Sequence, residues 1–228
     1  MTQQPATEVL DYYENLARSY DKERFGNSYG AYIHRQEYQT LRKIASDHES
    51  KLALDMACGT GRLMEFANYG IDISGNMIAE ARKKFPQKAF FIESAFNTHF
   101  PDGSFDLIIS FHLLMHLKKE ETFLLLNEAN RLLKKGGQLV IDFPSKKRRR
   151  LTGNKIQGWQ GANDFSIEEL RAVCKEHWHI AGYYGILFFP IHRINESFRT
   201  RLLVLDSFLC TSFLKEFSSY MIVVMNKI

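Results

Sequence analysis

Cysteine is scarce in this sequence, and long apolar runs are missing. The three cysteines lie far apart at Cys58, Cys174 and Cys210, and their odd number and the lack of a C-x-x-C pair argue against a disulfide framework. This usage favours a reducing compartment. No apolar run approaches the roughly 20 residues of a membrane-spanning helix, and residues 1–16 are too polar for a signal peptide. We therefore expect a cytoplasmic protein.

A strong charge of one sign is also missing. The sequence has 30 Lys and Arg residues against 26 Asp and Glu residues, a formal net charge of +4. DNA-binding proteins cluster basic residues more densely, so we expect no DNA partner. The basic run at 146–150 can bind phosphate groups, RNA or an acidic head group, or it can be a solvated loop. No set of His, Cys, Asp or Glu has the spacing of metal ligands, which predicts no metal site.

Strands and helices alternate in the middle of the chain. The predicted strands lie at 51–57, 69–73, 89–93, 105–111 and 138–143. The helices between them are predicted at 63–67, 76–85 and 120–133, the last closed by the lysines and glycines of 134–137. This alternation indicates βαβ units and a parallel sheet within one domain.

Further elements are predicted at both ends of the chain. Residues 7–46 have the apolar spacing of helices, with a break at 26–28. The elements expected near the other end are a helix at 166–176 and strands at 179–189 and 218–226. Segment 196–216 is richer in Phe and Leu than one face of a surface helix requires. It can line an apolar tunnel, contact a membrane surface, form a homodimer interface or pack against the sheet, so the chain is a monomer or a homodimer.

The strongest motif is L-D-M-A-C-G-T-G-R at 54–62. A predicted strand delivers Asp55, and Gly59 and Gly61 then let the backbone turn tightly and approach a ligand with no Cβ in the way. The first amides of the following helix can bind polar groups of that ligand. Asp72 ends the next strand, where a carboxylate can accept hydrogen bonds from both hydroxyls of a ribose. Together these signals indicate a nucleoside-binding site.

Other glycine-loop functions fit the motif less well. A dinucleotide fingerprint requires a third glycine where this chain has Met64, which disfavours NAD. A P-loop requires Gly-Lys followed by Ser or Thr, and the motif lacks that sequence. The remaining alternative is a plain tight turn, which does not account for Asp55 before the loop and Asp72 after it.

Four segments in order resemble the class I S-adenosylmethionine-dependent methyltransferases, in particular the small-molecule branch that includes ubiquinone- and menaquinone-biosynthesis enzymes. They are LDMACGTGR at 54–62, YGIDISGNMIAEAR at 69–82, FPDGSFDLIISFHLLMHL at 100–117 and LLKKGGQLVIDFP at 132–144. The resemblance implies an α/β fold with a Rossmann-like seven-stranded mixed sheet of order 3-2-1-4-5-7-6, its last strand antiparallel, and an N-terminal helical lid. Within this single domain it implies a lid at 1–48, a cofactor-binding core at 49–145, and an acceptor-side insertion with the final strands at 146–228.

The resemblance also implies, position by position, which residues bind S-adenosylmethionine. The loop at 59–61 is expected at the methionine part of the cofactor, Asp72 at the ribose, and residues 94–96 at the adenine. The full expected set is Tyr20, Asp55, Ala57, Gly59, Thr60, Gly61, Asp72, Ile73, Met77, Ser94, Ala95, Phe96, Ser110 and Phe111. The chain departs from the family pattern at Ala57, where glycine is usual, and at Ser94, where aspartate is frequent.

The implied reaction moves a methyl group from a sulfonium to an acceptor. It is an in-line displacement with a neutral leaving group, so catalysis depends mainly on the alignment of the donor and the acceptor. An acceptor that loses a proton needs a base, and His112, just past the fourth strand, is the expected catalytic residue. His112 and His116 can alternatively be packed structural histidines. Tyr20 can face the sulfonium with its ring or pack the lid onto the sheet.

The expected function is methyl transfer to a small, hydrophobic or amphipathic acceptor at O, N or C. The basic run at 146–150 leaves an RNA or protein methyltransferase as an alternative. A glycine loop that binds the cofactor without turnover would instead suit a non-catalytic S-adenosylmethionine-binding regulator. Contact with a membrane surface is a further open possibility.

Overall fold

Seven strands form one sheet in the order β3-β2-β1-β4-β5-β7-β6, in a computed structural model that describes residues 4–45, 52–153 and 163–228. The strands are β1 Ala53–Met56, β2 Tyr69–Asp72, β3 Ala89–Ile92, β4 Phe105–Ser110, β5 Leu133–Pro144, β6 Trp178–Ile186 and β7 Tyr220–Lys227. Strands β1 to β5 pair in parallel, and β7 is antiparallel to both of its neighbours. The predicted strand order and the antiparallel last strand are confirmed.

Eight α-helices accompany the sheet in the described part of the chain. They are α1 Gln4–Leu16, α2 Tyr20–Phe25, α3 Ser28–Ala45, α4 Gly75–Lys84, α5 Lys119–Leu132, α6 Lys146–Thr152, α7 Ile167–Cys174 and α8 Glu196–Leu209. The first three precede β1, and the break between α2 and α3 falls where the sequence predicts it. A second break, between α1 and α2, was not predicted.

The central strands are buried because their apolar side chains pack on both faces of the sheet. Leu54 and Ile108 belong to one core cluster, and Ile109 belongs to another. The parallel register sets Asp55 of β1 opposite Gly70 of β2 and Ile109 of β4. The residues that follow these strands therefore meet at one edge of the sheet, which we call the carboxyl edge.

Hydrogen bonds fix the first helices to the rest of the molecule. The Glu14 carboxylate of α1 accepts a hydrogen bond from the Asn76 backbone N–H at 3.2 Å, in the first turn of α4. The Gln36 side chain of α3 donates to the Asp206 carboxylate of α8 at 2.7 Å, and both residues are buried. These contacts hold α1 and α3 against the carboxyl edge from two sides.

Residues 134–137 do not close α5, and the prediction of a helix cap there is wrong. Helix α5 ends at Leu132 and β5 begins at Leu133, so the lysines and glycines belong to the strand. Gly136 has a φ of 74°, and the register of β5 against β4 shifts between Leu133 and Gln138. The glycines thus lie at an irregularity in the hydrogen-bond ladder between β4 and β5, where a residue without a Cβ is favoured.

The basic run at 146–150 lies in helix α6 and not in a loop. The Ser145 hydroxyl accepts a hydrogen bond from the Arg148 backbone N–H at 3.2 Å, which caps the helix. Acidic side chains of this chain pair with most of the cations. The ion pairs are Lys146–Glu169, Lys147–Glu168, Lys147–Glu216 and Arg149–Asp164. The charge that the run presents to an anionic partner is correspondingly reduced.

The apolar segment at 196–216 is helical only as far as Leu209. Leu203 is buried, whereas Phe198, Val204 and Phe208 are exposed. Within residues 4–45, 52–153 and 163–228, no helix combines the length and the hydropathy required to cross a bilayer. The three cysteines are free and buried.

Candidate functional site

The glycine loop carries a run of left-handed backbone. After β1 ends at Met56, the residues Ala57, Gly59 and Gly61 have φ values of 67°, 53° and 80°. Glycine adopts this conformation without a steric penalty, whereas a residue with a Cβ loses roughly 1–2 kcal/mol. Ala57 is therefore a strained position, and strain of this kind concentrates at functional sites.

Asp72 ties the glycine loop to the end of β2. One carboxylate oxygen accepts a hydrogen bond from the Gly59 N–H at 2.8 Å, and the other accepts from the Ser74 N–H at 2.9 Å. Burial raises the pKa of Asp72, and the two amides oppose that rise. An ionised carboxylate has about four acceptor positions, so capacity remains for a further donor. Asp72 can thus hold the loop and bind a ribose hydroxyl together.

A cavity of about 520 Å³ opens at the carboxyl edge, beneath α1 and α2. Its volume falls in the range of about 300–1,000 Å³ that is typical of cofactor pockets. The residues of the expected cofactor-binding set that line it are Tyr20, Ala57, Gly59, Asp72, Ile73, Met77, Ser94, Ala95, Phe96 and Phe111. His112 lines it as well. Motifs that lie far apart in the sequence therefore converge on one cavity.

Four residues of the expected set lie outside the cavity lining. Asp55 is buried on β1, and burial raises its pKa to about 7. Ser110 is fully buried at the end of β4. A Cβ at Gly61 would crowd the side chains behind the loop, and the Thr60 hydroxyl donates to the carboxylate of Asp21 in α2 at 2.6 Å. In this structure these residues do not line the cavity, and their contact with a ligand stays a prediction.

Two lid tyrosines line the same cavity. The Tyr13 hydroxyl and the His116 Nε2 atom are 2.9 Å apart and share a hydrogen bond. The Tyr13 and Tyr20 rings meet edge to face, with centroids 6.0 Å apart. Burial raises the pKa of Tyr13, and burial raises the pKa of Tyr20 to about 12. Both phenols are therefore neutral at physiological pH, and their uncharged rings face the cavity.

His112 lies between two buried carboxylates. Its Nε2 atom is 2.9 Å from a Glu37 oxygen, and its Nδ1 atom is 3.7 Å from an Asp142 oxygen. The His112 backbone N–H donates to Asp142 at 2.6 Å and holds the residue at a φ of 60°. The second Glu37 oxygen is 2.7 Å from an Arg62 nitrogen. Helix α3, the glycine loop, β5 and the end of β4 thus meet in one cluster of charges.

The charges in this cluster stabilise one another. Burial opposes the ionisation of Glu37, but Arg62 and His112 outweigh it and lower the pKa of Glu37 to about 2. Burial likewise opposes a charge on His112, yet Glu37 and Asp142 raise its pKa above the ordinary 6.5. Burial raises the pKa of Asp142 to about 6, against the effect of His112. Glu37 is therefore ionised at physiological pH, and its charge favours the protonated form of His112.

Glu37, His112 and Asp142 could also be considered as metal ligands, because one possible ligand atom from each lies within 4.8 Å of the others. The two ring nitrogens face different carboxylates, whereas one metal ion would bind a single nitrogen. Arg62 also occupies the second oxygen of Glu37. The arrangement is that of an imidazole held between two carboxylates.

A second cavity of about 240 Å³ adjoins the first. The two cavities share four lining residues, namely Tyr13, Tyr20, His112 and His116. The remaining walls of the smaller cavity are largely aromatic and apolar. They are formed by Phe25, Tyr29, Ile33, Met115 and Tyr220, and the exposed residues Glu23, Arg24 and Asn27 complete the lining. Among the described residues, none of the segment 196–216 lines either cavity, so the expected apolar tunnel is not formed by that segment.

The sequence has relatives among known proteins. A family model described as a methyltransferase domain matches residues 54–141. An uncharacterised protein of Methanocaldococcus jannaschii is 29% identical, over 96% of this chain and 91% of its own length. The ubiquinone/menaquinone biosynthesis C-methyltransferase of Campylobacter jejuni is 28% identical, over 60% of this chain and 64% of its own length.

Solved structures share the fold. The magnesium protoporphyrin IX methyltransferase of Synechocystis, with bound S-adenosylmethionine, has a TM-score of 0.68 at 18% identity and covers 100% of this chain and 99% of its own. Residues 54–141 of the chain match the methyltransferase-domain family, and the fold is that of the class I S-adenosylmethionine-dependent methyltransferases.

Three members of the charged cluster were not predicted: Glu37, Arg62 and Asp142. Asp142 could have been found, because β5 lies next to β4 in the expected order and Asp142 is the one acid in the apolar run of its strand. Arg62 directly follows the glycine motif, which gives a weaker signal. Glu37 gives no signal, since a single acid in a polar helix is usually exposed.

Proposed function

We propose that this methyltransferase moves a methyl group from S-adenosylmethionine to a small, hydrophobic or amphipathic acceptor by in-line displacement. The observation that carries the proposal is the convergence of Asp72, the glycine loop and His112 on one cavity beneath the first helices. Displacement from a sulfonium needs chiefly the alignment of donor and acceptor. Walls contributed by both the sheet edge and the lid are suited to such alignment.

The cofactor in this proposal lies along the carboxyl edge of β1, β2 and β3. The free acceptor capacity of Asp72 binds a ribose hydroxyl, and residues 94–96 border the adenine together with Ile73 and Met77. The loop at Ala57 and Gly59 contacts the methionine part. The neutral ring of Tyr20 faces the sulfonium, since aromatic faces attract cations.

His112 acts as the base in this proposal. Its neutral imidazole takes the proton that the acceptor releases, and the resulting imidazolium is stabilised by Glu37 and Asp142. His116 has a different part, because its Nε2 atom shares a hydrogen bond with Tyr13 of the lid. We therefore assign His116 to positioning of the lid.

Two other functions fit the structure less well. An RNA or protein methyltransferase would use the basic run at 146–150, but Lys146, Lys147 and Arg149 are held by acidic residues of this chain. A non-catalytic regulator would need the larger cavity alone, and it gives no reason for a second cavity on the far side of His112.

Transfer of a tritiated methyl group into fractionated cell extract distinguishes the three functions. We expect radioactivity in the metabolite or lipid fraction. Radioactivity in RNA or protein would contradict the proposed acceptor class. A protein that binds S-adenosylhomocysteine but transfers no methyl group to any fraction would favour the regulator. Phe213→Ala serves as the control variant, because Phe213 is 91% exposed and lines neither cavity.

A further inference from the structure

The smaller cavity lies where an acceptor would have to lie, provided that the proposed function holds. The four residues that it shares with the larger cavity, Tyr13, Tyr20, His112 and His116, border the place where the two cavities adjoin. In the proposed cofactor pose the sulfonium lies at Tyr20, next to this place. A molecule in the smaller cavity would then approach the methyl group from the side away from the cofactor, as an in-line displacement requires.

We propose that the smaller cavity binds the acceptor, and that the acceptor is a small hydroxyarene, a single aromatic ring with a phenolic hydroxyl. This inference rests on the proposed function and adds the substrate class. We call this space the acceptor cavity.

The size of the acceptor cavity limits the acceptor to about one ring. A cavity of about 150 Å³ is sufficient to hold benzene, and the acceptor cavity measures about 240 Å³. One aromatic ring with one or two short substituents fills this space. A fused ring system with a long aliphatic chain exceeds it.

The side walls of the acceptor cavity favour a planar, aromatic molecule. Phe25 meets the Tyr20 ring edge to face with centroids 5.9 Å apart, and the Tyr220 ring lies 6.3 Å from that of His112. Aromatic rings prefer such edge-to-face or offset contacts with another ring. Ile33 and Met115 complete the wall with apolar surface. A flat ring can therefore contact several rings at once, which a flexible chain of equal volume cannot.

The reaction at His112 favours a phenol over an amine or an aliphatic alcohol. An aliphatic amine is protonated at neutral pH, with a pKa near that of lysine at about 10.4, and its protonated nitrogen has no electron pair to attack the methyl group. An aliphatic alcohol is a far weaker acid than a phenol, whose pKa is about 10, as for tyrosine. The His112 Nδ1 atom is 3.7 Å from Asp142, beyond hydrogen-bonding length, so this nitrogen can exchange that contact for an acceptor oxygen.

The step balances with the groups present. The phenolic O–H bond breaks and its proton goes to the His112 imidazole. An oxygen–methyl bond forms as the carbon–sulfur bond of the sulfonium breaks, and the electron pair of that bond stays on sulfur. The products are a neutral aryl methyl ether, neutral S-adenosylhomocysteine and an imidazolium beside Glu37.

Binding of phenol to the protein saturated with S-adenosylhomocysteine tests this proposal. We expect saturable binding in saturation-transfer NMR, with cyclohexanol and benzylamine binding at least about tenfold more weakly. Ile33→Trp and Met115→Trp fill the acceptor cavity from two sides, and neither residue lines the larger cavity. Each variant should weaken phenol binding about tenfold and leave the Kd of S-adenosylhomocysteine within about twofold. Phe213→Trp, at an exposed position, should change neither.

The result separates failure of this inference from failure of the proposed function. Benzylamine binding as tightly as phenol, or phenol binding that both folded tryptophan variants leave unchanged, would overturn the hydroxyarene assignment while cofactor binding persists. Failure of S-adenosylhomocysteine to bind the parent protein would overturn the proposed function and this inference with it. Melting temperatures of the variants establish that they fold.

Discussion

His112 combines a left-handed backbone, a ring between two carboxylates and a place on the wall of both cavities. A residue with a Cβ stays at a φ of 60° only where its surroundings hold it there. Asp142 does so through the hydrogen bond from the His112 N–H. Glu37, which reaches the ring from the lid, sets the charge of the imidazole. At the scale of single residues, the proposed chemistry of the site therefore depends on Glu37 as much as on His112.

The first prediction concerns Glu37→Gln, which removes that charge at constant shape. The groups that face His112 are Glu37 from α3, Asp142 from β5, Arg62 from the glycine loop and Tyr220 from β7, the last neutral because burial raises its pKa to about 12. Without Glu37, burial and Arg62 lower the pKa of His112, and only Asp142 opposes them. NMR titration of the His112 ring should show a lower pKa than in the parent protein.

The pH dependence of methyl transfer should shift in the same direction as the pKa of His112. If neutral His112 is the base, the rate of methyl transfer rises with pH through the pKa of His112. This rising part of the pH–rate profile, its acid limb, should therefore shift to lower pH in Glu37→Gln. Glu37→Asp keeps the charge and should restore the limb towards its original position. An unchanged His112 pKa in a folded Glu37→Gln protein would show that Glu37 has only a packing role.

The second prediction concerns Ala57, whose φ of 67° is strained. Ala57→Gly relieves roughly 1–2 kcal/mol of backbone strain and gives back about 0.4–1 kcal/mol through the greater freedom of the unfolded chain. We expect a melting temperature higher by a few degrees, since about 1 kcal/mol corresponds to ~2–4 °C for a chain of this size. Ala31→Gly, at an exposed position within α3, should instead lower it. A fall in both variants would contradict the strain at Ala57.

At the scale of elements, the site depends on how the lid meets the glycine loop. The Thr60 hydroxyl donates to Asp21 of α2, and Lys84 at the end of α4 pairs with the same carboxylate. Arg62 places its guanidinium over the Phe25 ring, 4.2 Å from the centroid. These contacts couple α2 to the loop that is proposed to bind the methionine part of the cofactor.

The third prediction follows from the contact between Thr60 and Asp21. Thr60→Val removes one hydroxyl at nearly constant shape and leaves the Asp21 carboxylate with one donor fewer. Hydrogen–deuterium exchange should show faster exchange of amides 20–25, and S-adenosylhomocysteine should bind more weakly. Loss of one hydrogen bond to a charged group is worth about 1.5–3 kcal/mol at most. Thr211→Val, at an exposed position, is the control; equal exchange in both variants would contradict the coupling.

The sheet could be predicted from the sequence because its strands are short apolar runs placed between helices and turn residues. Phe105–Ser110 is one such run, and the order of the strands follows from the family resemblance. The break between α1 and α2 could not be predicted, since residues 17–19 contain neither glycine nor proline. The start of β5 at Leu133 was missed for the opposite reason: Gly136 and Gly137 look like a helix end until the neighbouring strand is known.

Local patterns and the family resemblance identified Gly59, Asp72 and other residues that line the larger cavity, but they did not identify Glu37, Arg62 and Asp142 of the charged cluster. Asp72 and Gly59 belong to motifs that are continuous in the sequence. Glu37 and His112 are brought together by the packing of α3 on the carboxyl edge, which no local pattern encodes. The acceptor cavity is likewise formed by side chains from α2, α3 and β7 and from the turn at 112–116.

At the scale of the whole molecule, a ligand that binds the folded chain alone stabilises it by mass action. This gives the fourth prediction. At a concentration of S-adenosylhomocysteine near 100 times its Kd, the free energy of unfolding should rise by about 2.7 kcal/mol. That corresponds to an increase in melting temperature of roughly 5–10 °C for a chain of this size. Adenine alone, at the same concentration, should have a much smaller effect.

The most direct test of the account is calorimetry of S-adenosylhomocysteine binding to the parent protein and to Asp72→Asn. The substitution keeps the shape of the side chain but removes the charge that is proposed to bind the ribose. Hydrogen bonds to a charged group contribute about 1.5–3 kcal/mol, so the Kd should rise about tenfold or more. Asp102→Asn, at an acid that is 81% exposed, should leave the Kd unchanged. An unchanged Kd in a folded Asp72→Asn protein would contradict the placement of the cofactor at this edge of the sheet.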